Sequence, residues 1–203
     1  MKIVSQKDVV SAVFTGLTTG LIGWRVLAFL DHLLPLGIDP IVLVLVVPVA
    51  WVLGVQLGYV LGMVFKPFTQ FGRFACIGFA NAAVDFGVLY LLIAKSGVAA
   101  GTAYATFKAA SFAVATVHSY LWNKYWTFEA TRTAGGRSEV LSFLSVALAS
   151  LVVNVAIASL VVAARPASVA VESWAGVGAI AGSATALIFS FIGFRVFVFR
   201  RSV

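Results

Sequence analysis

Long apolar runs alternate with short, mostly basic connections along the whole 203-residue chain. Six runs stand out, at roughly 9–30, 41–64, 73–94, 104–126, 140–163 and 174–198. About 20 apolar residues carry a helix across the hydrocarbon core of a bilayer, so the pattern predicts six spanning helices. The short alternating strands of a membrane β-barrel are missing. The first run is the least apolar: Arg25 lies near its end and Thr and Gly recur in it. It would either span or lie along the surface, and spanning is favoured because it lacks a charged face. Pro48 falls inside the second run, where a membrane helix tolerates it if neighbours satisfy the freed carbonyl. The opening M-K-I-V-S-Q-K resembles the start of a signal peptide, but the run behind it holds Arg25 and no A-x-A site, so it is read as retained.

Composition agrees: 62% of residues are hydrophobic and 10% charged, against about 25% charged in a soluble domain. The net charge of +7 would suggest nucleic acid in a soluble protein. Here the cations sit at the ends of the runs and have a simpler role, setting orientation and attracting anionic headgroups. If all six runs span, Lys2, Lys7, Lys66, Arg73, Lys124, Arg132, Arg137, Arg195, Arg200 and Arg201 fall on one side. The other side keeps Arg25, Lys95 and Arg165, with Lys108 inside the fourth run. Both termini are then expected in the cytoplasm of a bacterial or archaeal cell, with the chain in the plasma membrane. The single cysteine, Cys76, excludes an intrachain disulfide. There is no G-x-x-x-x-G-K-[ST] loop, metal-ligand cluster or nucleophile triad, so no enzyme activity, cofactor or nucleic-acid partner is expected.

The last four runs repeat as pairs. Residues 71–85, F-G-R-F-A-C-I-G-F-A-N-A-A-V-D, align with 140–154, V-L-S-F-L-S-V-A-L-A-S-L-V-V-N. Phe74 meets Phe143, Asn81 meets Ser150 and Asp85 meets Asn154. Residues 119–128, S-Y-L-W-N-K-Y-W-T-F, align with 190–199, S-F-I-G-F-R-V-F-V-F, so that Lys124 meets Arg195 and Phe128 meets Phe199. The fold expected is therefore an all-α integral membrane protein. A four-helix core of two parallel helical-hairpin repeats (67–203) follows an N-terminal helical hairpin (1–66). Repeats of this kind place transporter sites at their interface.

The runs R-F-A-C-I-G-F-A-N-A-A-V-D-F-G-V-L-Y-L-L (73–92) and S-F-A-V-A-T-V-H-S-Y-L-W-N-K-Y-W-T-F (111–128), with the ending F-R-V-F-V-F (194–199), resemble the GtrA-like family of small membrane proteins. The resemblance covers about residues 70–201. It implies a four-helix membrane domain linked to cell-surface polysaccharide synthesis. Members are thought to flip polyprenyl-phosphate-linked sugars or to support a membrane glycosyltransferase. The N-terminal hairpin departs from that pattern.

Polar residues inside the runs are the candidate substrate-binding set. Asp85 lies roughly 18 Å beyond Arg73 and Lys108 roughly 24 Å before Lys124 along their helices, which brings them to one depth if the helices are neighbours. Ionisable residues at such depth are functional candidates by default. Lys108 would attract a lipid phosphate while Asp85 holds or releases it; the structural alternative is an ion pair that only fixes helix register. Asn81 shares the face of Asp85. His118 offers a headgroup contact or a proton relay, or a hydrogen-bonded core histidine. Arg73 and Lys124 would collect a phosphate at the cytoplasmic mouth, where Arg195 and Arg200 also fall. In 119–128 most aromatics suit an interface belt, whereas Trp122, Asn123 and Trp126 have no counterpart in the second copy. Gly16/Gly20, Gly54/Gly58/Gly62 and Gly178/Gly182 recur every four residues, a spacing that lets helices approach closely, within the chain or in a homo-oligomer.

The leading expectation is translocation of a polyprenyl-phosphate sugar. The alternative is a non-transporting subunit whose Gly54/Gly58/Gly62 stripe docks a polyprenyl-phosphate glycosyltransferase. A small cation or drug exporter is weaker, because Asp85 would already face Lys108.

Overall fold

In a computed structural model that describes residues 4–31, 34, 37–131, 136–169 and 171–199, the chain is all-α, with six long helices and no sheet among the described residues. The helices are α1 (Gln6–Phe29), α2 (Leu43–Leu61), α3 (Pro67–Ser96), α4 (Gly101–Trp122), α5 (Arg137–Ala163) and α6 (Val171–Gly193). They coincide with the six apolar runs to within a few residues, apart from an earlier start to α3. Among the described residues, five helical segments are long and apolar enough to cross a membrane: Gln6–Phe29, Pro40–Leu61, Pro67–Ser96, Arg137–Ala163 and Val177–Val198. The exception is α4, diluted by Lys108, Ser111, His118 and several threonines. Those hydroxyls are bonded within the helix, Thr106 Oγ1 to the Thr102 carbonyl (3.0 Å) and Thr116 Oγ1 to that of Phe112 (2.7 Å). The chain is thus a multi-pass membrane protein.

Two compact units divide the chain, Met1–Glu129 and Ala130–Val203. In the first, successive helices run antiparallel and pack through small residues. A Cβ on Gly16 would come within 2.5 Å of the Pro48 Cα, and one on Gly20 within 2.3 Å of the Leu43 carbonyl. One on Gly58 would meet the Phe68 carbonyl at 2.9 Å and the Gly72 Cα at 3.0 Å; one on Gly62 would strike Thr69 Oγ1 at 2.1 Å. The Gly54/Gly58/Gly62 stripe is therefore spent inside the chain, where α2 needs it to seat against α3. This corrects its expected role as a docking face for a glycosyltransferase. Ala12, Val55, Cys76, Ile77 and Trp126 form the buried core of this unit. Its helices α1 and α3 are parallel, with Ile22 set against Gly87.

In the second unit, α5 and α6 run antiparallel, Gly178 and Gly182 closing on the backbone of Ala158 and Asn154. Phe143 and Phe194 stack at 4.5 Å with 10° between ring planes. Both α4 and α6 end in a five-residue π-turn, Asn123–Thr127 and Phe194–Val198. Each is closed by an i→i+5 hydrogen bond, from Phe128 N–H to Asn123 C=O (2.9 Å) and from Phe199 N–H to Phe194 C=O (2.8 Å). Arg132, Arg200, Arg201 and Lys2 of the expected basic side lie outside the described residues.

Candidate functional site

The first polar cluster is the expected one. Asp85 of α3 and Lys108 of α4 form an ion pair, Nζ on Oδ2. Ser111, one turn beyond Lys108, donates from Oγ to the other carboxylate oxygen, Oδ1, at 2.6 Å. The Phe86 ring lies 5.9 Å from the ammonium. The pair is one-sided: the Lys108 side chain is 42% exposed and that of Asp85 19%. The lysine can therefore meet a ligand from outside while its counter-ion stays behind it. On the same two helices are polar atoms buried without a hydrogen-bond partner among the described residues, Asn81 Oδ1 and His118 Nδ1. In the π-turn, Asn123 Oδ1 and Thr127 Oγ1 are in the same condition, although the Asn123 amide donates to the Ser119 carbonyl at 2.8 Å. Buried polar groups are almost always paired, so these atoms mark places for water or a ligand group. Among the described residues no cluster of potential metal ligands exists.

The second cluster was missed from sequence. Asp8, in the first turn of α1, is completely buried. Arg73 pairs with it, Nη2 donating to Oδ2 at 2.9 Å while Nε lies 2.9 Å from Oδ1 without hydrogen-bond geometry. The Tyr59 hydroxyl donates to Oδ2 at 2.6 Å, Trp126 Nε1 to Oδ1 at 2.8 Å, and Ser5 Oγ to Oδ2 at 2.7 Å. Arg73 also reaches Glu129 Oε1 (3.1 Å) and the Trp126 carbonyl (3.2 Å), and Glu129 lies 3.7 Å from Lys7 Nζ. A buried carboxylate is tolerated only when paired and fully hydrogen-bonded, and here both conditions hold. The available signal was S-Q-K-D (5–8), a Ser N-cap followed three residues later by the sole acid of residues 1–30. Ser5 Oγ does accept from the Asp8 N–H, at 3.1 Å.

This network revises several expectations. Arg73 does not stand open at a mouth; two carboxylates occupy its guanidinium. Lys124 is buried, its Nζ 3.3 Å from the Tyr120 hydroxyl and 5.6 Å from that ring's centroid. Trp126 is a buried donor, and Trp122 packs between Phe14 (6.0 Å), His118 (6.3 Å) and Trp126 (5.8 Å). Tyr125, half exposed, is left to an interface belt. Arg195 is exposed on the second π-turn, and Arg200 lies outside the described residues.

Six mostly membrane-spanning helices, with the Asp8–Arg73 and Asp85–Lys108 pairs bridging neighbouring helices, define a polytopic membrane protein. Residues 73–201 match the family model described as GtrA/DPMS, transmembrane domain, and the chain belongs to that family. The family connects it to membrane proteins implicated in handling lipid-linked sugars. Over 132 residues it is 30% identical to the uncharacterized membrane protein YngA of Bacillus subtilis (strain 168), an alignment covering 65% of this chain and 80% of that protein. No solved structure matches.

Proposed function

We propose that this chain translocates polyprenyl-phosphate-linked sugars across the cell membrane for cell-surface polysaccharide synthesis, without an enzymatic step of its own. The observation that carries this reading is the Asp85–Lys108–Ser111 cluster within the family-matched segment. Asp85 neutralises Lys108 while the site is empty. An arriving lipid phosphate takes the ammonium, as charge-assisted bonds to phosphate favour, and Ser111 keeps the released carboxylate hydrogen-bonded. The sugar would meet Asn81, one turn from Asp85, whereas His118 and Asn123, about 15 and 22 Å beyond Lys108 along α4, would line the path to its end, and the prenyl tail would stay in lipid. With the cations of Lys7, Lys66, Arg73 and Lys124 inside, the end that carries Asp8 faces the cytoplasm.

The two-repeat architecture belongs to the same reading. Phe74 and Phe128 lie 6.1 Å apart at 55°, and their aligned counterparts Phe143 and Phe199 lie 6.2 Å apart at 54°. With the two π-turns, these ring pairs support a duplication. Alternating exposure of the Lys108 site would then arise from rocking of the hairpins.

The test is reconstitution of the purified chain in liposomes with a polyprenyl-phosphate sugar. Lys108→Ala should lower translocation at least tenfold; an unchanged rate would overturn the assignment. A second reading, a non-transporting subunit of a membrane glycosyltransferase, draws on the face of α5 on which Leu148, Leu151, Val152 and Val155 stand exposed. That face suits a partner helix. Absence of translocation together with co-purification of such a transferase would favour it.

A further inference from the structure

We propose that Arg73, Trp126 and Tyr59 form an anion socket for a phosphate group, and that in this structure the chain's own Asp8 carboxylate fills it. The inference goes beyond the translocase reading. It concerns a second site, at the end of the first unit that carries Asp8, and it stands whether or not Lys108 takes part in transport.

The donor set is the first argument. The Arg73 fork, an indole N–H and a phenol O–H converge on one carboxylate at 2.6–2.9 Å. A planar fork and neutral donors directed at a single anion are what phosphate recognition requires. The origin of the parts is the second argument. Arg73 is the first residue of the family-matched segment and Trp126 lies within it, whereas Asp8 comes from the stretch before it. The cationic half of the socket thus belongs to the family domain, and the anion filling it comes from the N-terminal helix.

Displacement is also balanced in charge. Glu129, the other carboxylate on Arg73, is 38% exposed and already lies near Lys7. Lys7 therefore already shares the Glu129 charge with Arg73. Asp8 sits in the first turn of α1, two residues from the start of that helix at Gln6, where helix ends fray at least cost. Its withdrawal requires the opening of that turn and the transfer of the Arg73, Tyr59 and Trp126 donors from the carboxylate to the phosphate. A phosphate offers one more oxygen than the carboxylate. The buried Thr127 hydroxyl, next in sequence to Trp126 and without a partner among the described residues, is a donor available to it.

The test uses the full chain in lipid nanodiscs, with inorganic phosphate, farnesyl phosphate, uncharged farnesol and chloride as probes. In Asp8→Ala and Asp8→Asn the socket is empty or uncharged. Millimolar phosphate should raise their unfolding midpoints by several degrees, chloride should not, and adding Arg73→Gln should abolish the gain. Rescue by farnesyl phosphate at lower concentration than phosphate assigns the site to a lipid headgroup. Rescue by inorganic phosphate alone assigns it to a free phosphate. Midpoints that phosphate leaves where chloride does would overturn the socket and leave Asp8–Arg73 as a clamp between helices. Should neither variant fold, the wild-type chain decides. Farnesyl phosphate or inorganic phosphate should speed amide exchange in residues 5–12 about tenfold and farnesol should not, and uniform exchange under all four probes would overturn the proposal.

Discussion

The α3–α4 pair and the α5–α6 pair end alike and are held together differently. Each closes on a π-turn and on a tilted phenylalanine pair of nearly the same geometry. At the first end, Arg73 binds Asp8, Glu129 and the Trp126 carbonyl. At the second, Phe194 occupies the position aligned with Asn123 and stacks on Phe143. Ring packing therefore suffices to close such an end. The charges of the first pair are additions that a helical hairpin does not need in order to form, which is why they are the better candidates for function.

The largest way to break this comparison is Arg73→Gln. It leaves the Asp8 carboxylate buried without its counter-charge, and removal of one partner of a buried pair costs about 3–5 kcal/mol. Unfolding of the variant in mixed micelles should show that loss, and Asp8→Leu with Arg73→Met should restore most of it. If the double variant is as unstable as Arg73→Gln, the charges are essential to closure. Phe194→Leu probes the ring-packed end and should cost less than about 1.5 kcal/mol, with no dependence on salt. A loss matching that of Arg73→Gln would erase the distinction. Asn123→Ala removes the two hydrogen bonds of its amide to Ser119 and should cost about 1 kcal/mol, yet it should reduce translocation more than Phe199→Leu does at equal membrane expression. Lys108→Ala leaves the Asp85 carboxylate bonded to Ser111 without its counter-charge, and its effect on translocation should be the greatest of the four. A stable, fully active Lys108→Ala protein would leave the Asp85 pair a fixer of helix register.

The parts legible in the sequence were those with a local period or a countable depth. Six apolar runs became six helices because length and hydropathy decide membrane helices almost alone. Asp85 and Lys108 could be paired in advance because neighbouring helices run antiparallel and each residue adds a fixed rise. The four-residue glycine spacings announced close packing, but not that α3 would be the partner of the Gly54/Gly58/Gly62 stripe. Asp8 was overlooked because a charge near the start of a membrane chain is expected in water. Its partners lie 51, 65 and 118 residues away at Tyr59, Arg73 and Trp126, beyond any periodic signal. Trp126 was hidden for a related reason. A Trp at a helix end looks like an interface anchor whether it faces the headgroups or, as here, a buried carboxylate.

The position of Asp8 also bears on how the protein is made. The chain emerges from its N-terminus, so α1 is synthesised long before Arg73, 65 residues later, or Trp126, 118 residues later. During that interval the carboxylate has no counter-charge, and the first turn of α1 must remain among headgroups and water. It can sink into its socket only once α3 and the end of α4 have been delivered. Of the six helices, α1 is thus synthesised before the others and is among the last to be locked in place.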